Sequence, residues 1–261
     1  MEVIGLGTYL LQDDLCYSIV LLALKMGYRL IDTATLYGNH AEIKRAICDS
    51  GIDRSEIFIT SKIHKKYIKN SNIIEGFNNI LEELGIEYID LLLLHEPYKL
   101  KNADLKNINN WKIMENIYKS GKAKNIGVSN YRINEIKNIV ENCEIIPYIN
   151  QIEISPFCQR KELIKYCRKN NIKIEAYRSL CNGEKNNDEH LLVLAKKYDI
   201  SVPKLLLYWA KVNGYHIIPK ADNIEQLCEN LTIKYLELKD FDLTDFDILN
   251  IEYFTMKQHS D

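Results

Sequence analysis

The chain has 261 residues, of which 46% are hydrophobic and 27% charged, the balance of a globular protein that can bury a sizeable core. Its 34 basic and 36 acidic side chains give a formal net charge of -2, which provides no broad positive surface for nucleic acid or anionic lipid. No apolar run is long enough to span a bilayer, and the first residues lack the basic stretch of a signal peptide. We therefore expect a cytoplasmic protein without nucleic-acid or membrane partners.

Apolar runs alternate with segments of helical period, as in a parallel sheet whose strands are joined by crossover helices. Eight runs predict strands, at residues 3–7, 30–32, 57–62, 89–95, 123–129, 148–153, 173–177 and 216–219. Nine segments predict helices, at residues 15–26, 41–49, 73–83, 110–119, 133–140, 161–170, 189–197, 203–212 and 224–230. Eight such strands indicate a (β/α)8 TIM barrel. No linker interrupts the series, so we expect one domain over residues 1–261.

An open, doubly wound sheet is the alternative architecture, because the alternation alone does not exclude it. The phosphate-binding motif typical of that fold is missing. Gly5 and Gly7 are followed by Thr8-Tyr9-Leu10, with no third glycine in place.

The seven cysteines are an odd set with no C-x-x-C pair, which predicts reduced thiols rather than a disulfide framework. The histidines are scattered and match no metal-binding spacing, so no metal site is predicted.

Polar side chains stand at the ends of three consecutive predicted strands, where a barrel carries its functional groups. They are Asp32, Lys62 and His95, with Tyr37 in the loop after Asp32. Each residue alone has a structural interpretation. Asp32 could cap a turn, Lys62 could be a solvated charge at a strand end, and His95 could be a core histidine. Tyr37 could belong to an ordinary loop. Together they suit carbonyl reduction, which needs a proton donor and a group that polarises the carbonyl.

In that interpretation, Tyr37 donates the proton. A neighbouring Lys62 ammonium should lower the pKa of the phenol, and Asp32 should anchor the lysine. Neutral His95 would hydrogen-bond the carbonyl oxygen.

With these residues the chain resembles the aldo-keto reductases from Gly5 to about Asn230. The resemblance is carried, in order, by residues 5–9, 27–34, 37–39, 58–62, 91–95, 121–122, 126–130, 150–153 and 218–220. It implies that Asp32, Tyr37, Lys62 and His95 form the catalytic tetrad, with Tyr37 as the acid. It also implies a monomer that reduces a small carbonyl substrate with NADPH, NADH being the alternative cofactor.

The resemblance further implies a cofactor site without a glycine loop. Thr8 and Tyr9 would lie near the ribose, Ser129, Asn130 and Gln151 would bind the carboxamide, and Tyr177 would stack on the nicotinamide. The remaining cofactor positions are Asp32, Arg178, Leu180, Lys220, Ala221, Gln226, Glu229 and Asn230.

Several positions depart from the family pattern. Ala221 and Gln226 replace a serine and an arginine that often contact the 2'-phosphate, which weakens the case for NADPH over NADH. Arg178 replaces a small serine and would contact the pyrophosphate. The usual N-terminal hairpin plug is expected to be absent. His64, beside Tyr37 and His95 in the substrate pocket, replaces an aromatic residue, and the loop at residues 98–109 looks short, so we expect an open, polar pocket.

Two functions follow from the sequence. The first is an NAD(P)H-dependent reductase of aldehydes or ketones. The second is a catalytically silent barrel that serves binding or structure, because a fold does not compel a function. The retained tetrad favours the first.

Overall fold

A computed structural model describes residues 3–250 of the chain. Eight parallel strands follow one another in sheet order, each paired with the next. The strands are β1 Leu6–Gly7, β2 Leu30–Asp32, β3 Phe58–Ile63, β4 Leu91–Leu94, β5 Ile126–Ser129, β6 Ile149–Glu153, β7 Lys173–Tyr177 and β8 His216–Ile217. This is the (β/α)8 architecture that the sequence predicted.

Helices connect the strands and cover the outside of the sheet. They are α1 Asp13–Lys25, α2 His40–Ser50, α3 Lys65–Asn70, α4 Ile73–Leu84, α5 Ala103–Lys119, α6 Ile133–Asn142, α7 Lys161–Lys169, α8 Glu189–Tyr198, α9 Val202–Val212 and α10 Ile224–Thr232. None of the helices within residues 3–250 combines the length and apolar character needed to cross a bilayer.

Backbone hydrogen bonds between the first and last strand segments close the barrel. The Gly5 nitrogen donates to the Ile217 oxygen at 2.8 Å, and the Ile217 nitrogen donates to the Val3 oxygen at 2.9 Å. Gly7 is required at this seam, because a Cβ there would lie 2.5 Å from the backbone oxygen of Ile218. Within residues 3–250 no strand precedes β1.

The alternation along β4 shows how the two sides of the sheet are filled. Leu92 and Leu94 pack into the large core between the strands and helices. Leu91 and Leu93 face a small separate cluster with Ile149 on β6. Both sides are apolar, which explains why β4 reads as four consecutive leucines rather than as an alternating pattern.

Helix ends agree with the signals in the sequence. Gly51 ends α2 with φ +69°, a left-handed conformation that glycine adopts without strain. Ser201 caps α9 by accepting a hydrogen bond from the Lys204 nitrogen, and Pro203 lies in the first turn. All seven cysteines are unbridged, which confirms the expectation of free thiols.

Two segments differ from the prediction. Residues 65–70 form the short helix α3, which was not predicted. Helix α5 begins at Ala103, so most of the predicted loop at residues 98–109 is helical. In α3, burial of Tyr67 and Ile68 against the core stabilises a turn whose lysine-rich sequence lacks a clear apolar period.

Candidate active site

The four predicted chemical residues lie together at the carboxyl ends of β2, β3 and β4. Asp32 is the last residue of β2, Lys62 is near the end of β3, and His95 follows β4 directly. Tyr37 ends a short 3-10 helix, Thr35–Tyr37, in the loop after β2. The Tyr37 and His95 rings meet edge to face with centroids 6.1 Å apart.

Asn39 fixes the loop that presents Tyr37. Its side-chain nitrogen donates to the backbone oxygens of Thr8 at 2.9 Å and Leu11 at 3.0 Å, and its oxygen accepts from Thr33 Oγ1 at 2.9 Å. Gly38 allows the turn because it adopts φ +68°. The Tyr-Gly-Asn sequence thus combines a reactive group, a left-handed turn and an anchor to the β1 loop.

The Lys62 ammonium is fully buried and uses all three of its protons. Its Nζ donates to Asp32 Oδ1 at 2.6 Å, to the Thr33 backbone oxygen at 2.9 Å and to Tyr37 Oη at 3.1 Å. Burial alone would lower the pKa of Lys62, but the charges and hydrogen bonds of Asp32 and Tyr37 together outweigh it, and the pKa lies above its ordinary value. The lysine is therefore a fixed cation beside the phenol.

The pKa of Tyr37 is raised from its ordinary value, chiefly by burial. Lys62 acts against this rise, in the direction expected from the sequence, but it does not overcome the cost of burying a phenolate. The expectation of a lowered pKa was therefore wrong. Because Lys62 donates to the phenol oxygen, the phenol's own proton can be directed toward a substrate oxygen.

His95 is neutral at ordinary pH. Burial, together with the positive charges of Lys62 and His64, lowers its pKa to about 3. The backbone of His95 is held between β3 and β5, since its nitrogen donates to the Ile63 oxygen at 3.3 Å and its oxygen accepts from Asn130 Nδ2 at 3.0 Å. A neutral imidazole in this place can donate a hydrogen bond to a carbonyl oxygen.

A second buried carboxyl group, Glu175 on β7, reaches the same network. Gln151 Nε2 donates to Asp32 Oδ2 at 2.7 Å and to Glu175 Oε2 at 2.6 Å. Burial and the nearby Asp32 charge raise the pKa of Glu175 to about 8. Its Oε1 has no hydrogen-bond partner among the described residues. The sequence analysis missed Glu175.

The residues expected at the carboxamide lie side by side on β5 to β7. Ser129 Oγ donates to the backbone oxygen of Gln151 at 2.9 Å, and Asn130 Nδ2 donates to Ser129 Oγ at 3.1 Å. Tyr177 Oη donates to Asn130 Oδ1 at 2.7 Å. An aromatic ring beside an amide group suits a flat ring that carries a carboxamide. Both side-chain nitrogens already donate twice: that of Gln151 to Asp32 and Glu175, and that of Asn130 to the His95 oxygen and Ser129 Oγ.

Thr8 and Tyr9, expected near the ribose, directly follow β1 on the Tyr37 side of the barrel. Thr8 is buried, and its hydroxyl donates to the Asp32 backbone oxygen at 2.9 Å. The Tyr9 ring is partly exposed and lies 5.0 Å from the Tyr37 ring, centroid to centroid. Thr8 therefore ties the segment after β1 to the end of β2, whereas the Tyr9 ring lies at the surface beside Tyr37.

The residues expected at the phosphates and adenine lie on the β7 and β8 side. Arg178 and Leu180 follow β7 and are partly buried, Ala221 and Asn230 are buried, and Gln226 is exposed. Lys220 Nζ forms an ion pair with Asp222 Oδ1 at 2.7 Å. The Ser201 hydroxyl donates to the Glu229 carboxylate.

The donor set of this half of the mouth fits a nicotinamide dinucleotide. The Tyr177 ring and the Asn130 amide suit the nicotinamide end, and the cations Arg178 and Lys220 suit phosphates. Asp222 weakens the attraction of Lys220 for phosphates, because its carboxylate offsets the charge of the lysine.

His64 begins the β3 side of the mouth. It caps α3, with its Nδ1 accepting a hydrogen bond from the Lys66 backbone nitrogen at 3.1 Å. It is partly exposed, as a pocket residue would be. No group of three or more histidine, cysteine or acidic side chains within residues 3–250 is placed to hold a metal ion.

His40 is a further residue that the sequence analysis missed. Its buried ring bonds through Nδ1 to Glu83 Oε2 at 2.6 Å and through Nε2 to Ser61 Oγ at 3.1 Å. Ser61 is wholly buried, so this serine, histidine and glutamate form a structural link between α2, β3 and α4.

Comparison with known proteins places these findings in a family. The model of the aldo/keto reductase family matches residues 3–251. An aldehyde reductase of Saccharomyces cerevisiae is 35% identical over 92% of this chain and 85% of its own length. A glyoxal reductase of Bacillus subtilis is 35% identical over 90% of this chain and 83% of its own length.

A solved structure of an aldo-keto reductase from a Medee basin deep-sea metagenome library superimposes with a TM-score of 0.93. It is 34% identical, and the match covers 100% of this chain and 96% of that one. The chain therefore belongs to the aldo-keto reductase family and is an oxidoreductase acting on carbonyl and alcohol groups.

Proposed function

We propose that the protein reduces small aldehydes or ketones to alcohols with NADPH, and that Tyr37 is the general acid. The observation that carries the proposal is the contact of Tyr37 Oη with Lys62 Nζ at 3.1 Å, where Lys62 is itself paired with Asp32 at 2.6 Å. The names of similar proteins, which include aldehyde, glyoxal and methylglyoxal reductases, point to small reactive carbonyl compounds as substrates.

The cofactor would be held by the residues of the β5 to β8 side. Ser129, Asn130 and Tyr177 would hold the nicotinamide end, and Arg178 and Lys220 the phosphates. When bound, the reduced nicotinamide supplies a hydride to the carbonyl carbon.

Proton transfer is the task of Tyr37. The alkoxide that develops on the substrate is a much stronger base than phenolate, so a phenol with a raised pKa still donates to it. Lys62 stabilises the phenolate left behind because its ammonium lies within hydrogen-bond distance. Asp32 keeps the lysine charged and in place.

His95 orients the substrate. As a neutral imidazole it can donate to the carbonyl oxygen without competing with Tyr37 for the proton. The edge-to-face contact with the Tyr37 ring directs both groups to the same region of the mouth.

The test is to follow NADPH absorbance with a panel of small aldehydes and ketones, for the wild type and for Tyr37→Phe. We expect turnover by the wild type and a loss of about 10³-fold or more in kcat for the variant. Fluorescence titration should show that Tyr37→Phe still binds NADPH.

The alternative, a silent barrel, makes the opposite prediction. If the wild type binds neither NADPH nor NADH and reduces no aldehyde, the proposal fails. If Tyr37→Phe retains full activity, the acid is a different group.

The proposal includes a monomer in the cytoplasm, with NADPH preferred over NADH. Free thiols at all seven cysteines are consistent with a reducing compartment. The cations Lys220 and Arg178 favour NADPH, which carries an additional phosphate. The ion pair of Lys220 with Asp222 reduces the preference for NADPH over NADH.

A further inference from the structure

Six lysines lie on the two segments that follow β3 and β4, beside the active site. We call them the lysine rim: Lys65, Lys66, Lys69, Lys99, Lys101 and Lys106. All are exposed except Lys106, which is half-buried. They belong to residues 64–72, after β3, and residues 95–106, after β4.

The positive charge is concentrated at this rim. These two segments contain only two acidic residues, Glu96 and Asp104, whereas the whole chain has a net charge of -2. Helix α4, which leads back from the rim, contains three glutamates and neither lysine nor arginine. The β3 and β4 side of the mouth is therefore basic, although the chain as a whole carries a small negative net charge.

The rim lysines form no ion pair with any carboxylate in the described part of the chain, residues 3–250. Lysines elsewhere, such as Lys161 and Lys197, pair at 2.6 Å and 2.7 Å. Two of them lie against aromatic rings: Lys66 Nζ lies 4.6 Å from the Tyr67 ring centroid, and Lys106 Nζ lies 5.9 Å from that of Tyr98.

The charge of the rim acts on His64, the residue that joins β3 to the rim. His64 links the two, because the Lys66 backbone nitrogen donates to its ring. Burial first, and then Lys66 and Lys65, lower the pKa of His64, with Glu96 acting against them. His64 and Lys62 in turn contribute to the lowered pKa of His95.

The rim also lies apart from the residues assigned to the cofactor. Those from Ser129 onward lie on or after β5 to β8, whereas the rim follows β3 and β4. A ligand that contacts the rim and approaches Tyr37 would be the substrate.

We propose that the preferred substrates are carbonyl compounds with an anionic group, a carboxylate or a phosphate, at the end remote from the carbonyl. This inference rests on the proposed function. The rim attracts and holds the anionic end, and the carbonyl end lies between Tyr37 and His95. The net charge of -2 does not reveal this preference, because it sums over the whole chain.

The test uses matched pairs of substrates. Succinic semialdehyde is compared with butanal for the carboxylate, and glyceraldehyde 3-phosphate with glyceraldehyde for the phosphate. We expect kcat/KM to be about tenfold or more higher for at least one anionic member, and to fall toward the neutral value in about 0.5 M NaCl. The pair with the larger ratio identifies the anion.

The variant Lys65→Gln/Lys66→Gln/Lys69→Gln should bring that ratio close to one. The matched control, Lys25→Gln/Lys122→Gln/Lys169→Gln, removes three exposed lysines at the opposite end of the barrel and should keep the ratio. The dissociation constant of NADPH is measured for both, because a rim that only attracts the cofactor would change that constant and leave the substrate ratio intact.

Equal kcat/KM for both members of each pair, or equal loss of the ratio in both triple variants, overturns the inference while leaving the proposed function in place. Failure to reduce any of the four aldehydes overturns both.

Discussion

The buried carboxyl groups of Asp32 and Glu175 are joined through one donor, since both accept from the side-chain nitrogen of Gln151, at 2.7 Å and 2.6 Å. Asp32 also has the Lys62 ammonium, whereas Glu175 Oε1 has no partner within the described residues. A protein interior tolerates a charge only when it is paired. Glu175 is therefore the carboxyl that holds its proton near neutral pH.

Glu175 should make the protein less stable as the pH rises. The folded-state pKa is about 8, against an ordinary value of 4.5. Between these two pH values the folded chain holds a proton that the unfolded chain has lost, so the free energy of unfolding falls by about 1.4 kcal/mol per pH unit. Glu175→Gln removes this dependence while keeping an oxygen for Gln151. Urea denaturation at several pH values from about 5.5 to about 7.5 should show the variant gaining about 2 kcal/mol over the wild type.

Glu162→Gln provides the control, because Glu162 is exposed on α7. Glu162→Gln should change the free energy of unfolding by the same amount at each pH. A constant difference between wild type and Glu175→Gln across that range would show that Glu175 is ionised throughout.

Lys62→Met should destabilise the fold as well as abolish turnover. The substitution keeps the volume but leaves the Asp32 carboxylate buried without its cation, which costs about 3–5 kcal/mol. Adding Asp32→Asn should restore part of that loss and none of the activity. Thermal or urea unfolding of the single and double variants measures the effect, and a loss below about 1 kcal/mol for Lys62→Met would contradict the importance of the buried pair.

His95 should remain neutral throughout the usual assay range. Burial, Lys62 and His64 lower its pKa to about 3, so its ring resonance should not shift between about pH 7.5 and about pH 5. His95→Gln assigns that resonance in a proton–carbon NMR spectrum. A titration midpoint near about 6.5 would refute the prediction. Because the unfolded chain gains this proton below its ordinary pKa of 6.5 and the folded chain does not, the neutral ring also makes the fold less stable in acid.

Asp222→Asn should strengthen the binding of NADPH and leave that of NADH unchanged. The substitution removes the carboxylate that lies 2.7 Å from Lys220 Nζ and so makes the cation available to a 2'-phosphate. We expect the dissociation constant of NADPH, measured by calorimetry, to fall about threefold to tenfold. Glu225→Gln, an exposed change in the first turn of α10, controls for a general loss of negative charge. An equal gain for NADH would show that Lys220 does not discriminate between the cofactors.

Most of the barrel could be predicted from the sequence because parallel strands covered on both faces are apolar throughout. The predicted bounds of β2 and β7 match the structure, and the other strands differ by one to three residues at an end. Helix α3 could not be predicted in this way. Its stability comes from the burial of two side chains, Tyr67 and Ile68, rather than from a periodic pattern.

Some of the site residues could likewise be predicted from the sequence, and others could not. Asp32, Lys62 and His95 stand at strand ends, where chain order alone brings them to one mouth. Glu175 lies within a strand, and a single glutamate there predicts nothing. A correct alignment of β6 with β7 would have placed Glu175 beside Gln151, which was already a candidate cofactor residue. The pKa of Tyr37 also escaped prediction, since it depends on how deeply the ring is buried.

The seam between β1 and β8 joins parts of the chain that are some two hundred residues apart, with Gly5 bonded to Ile217 and Gly7 to Pro219. Such distant contacts are costly to form early, because closing a long loop of disordered chain loses conformational entropy. During synthesis, the ring of strands can close only after residue 219 has emerged. Until then one edge of β1 has no neighbouring strand. The active-site mouth is therefore complete only after β8 has paired with β1.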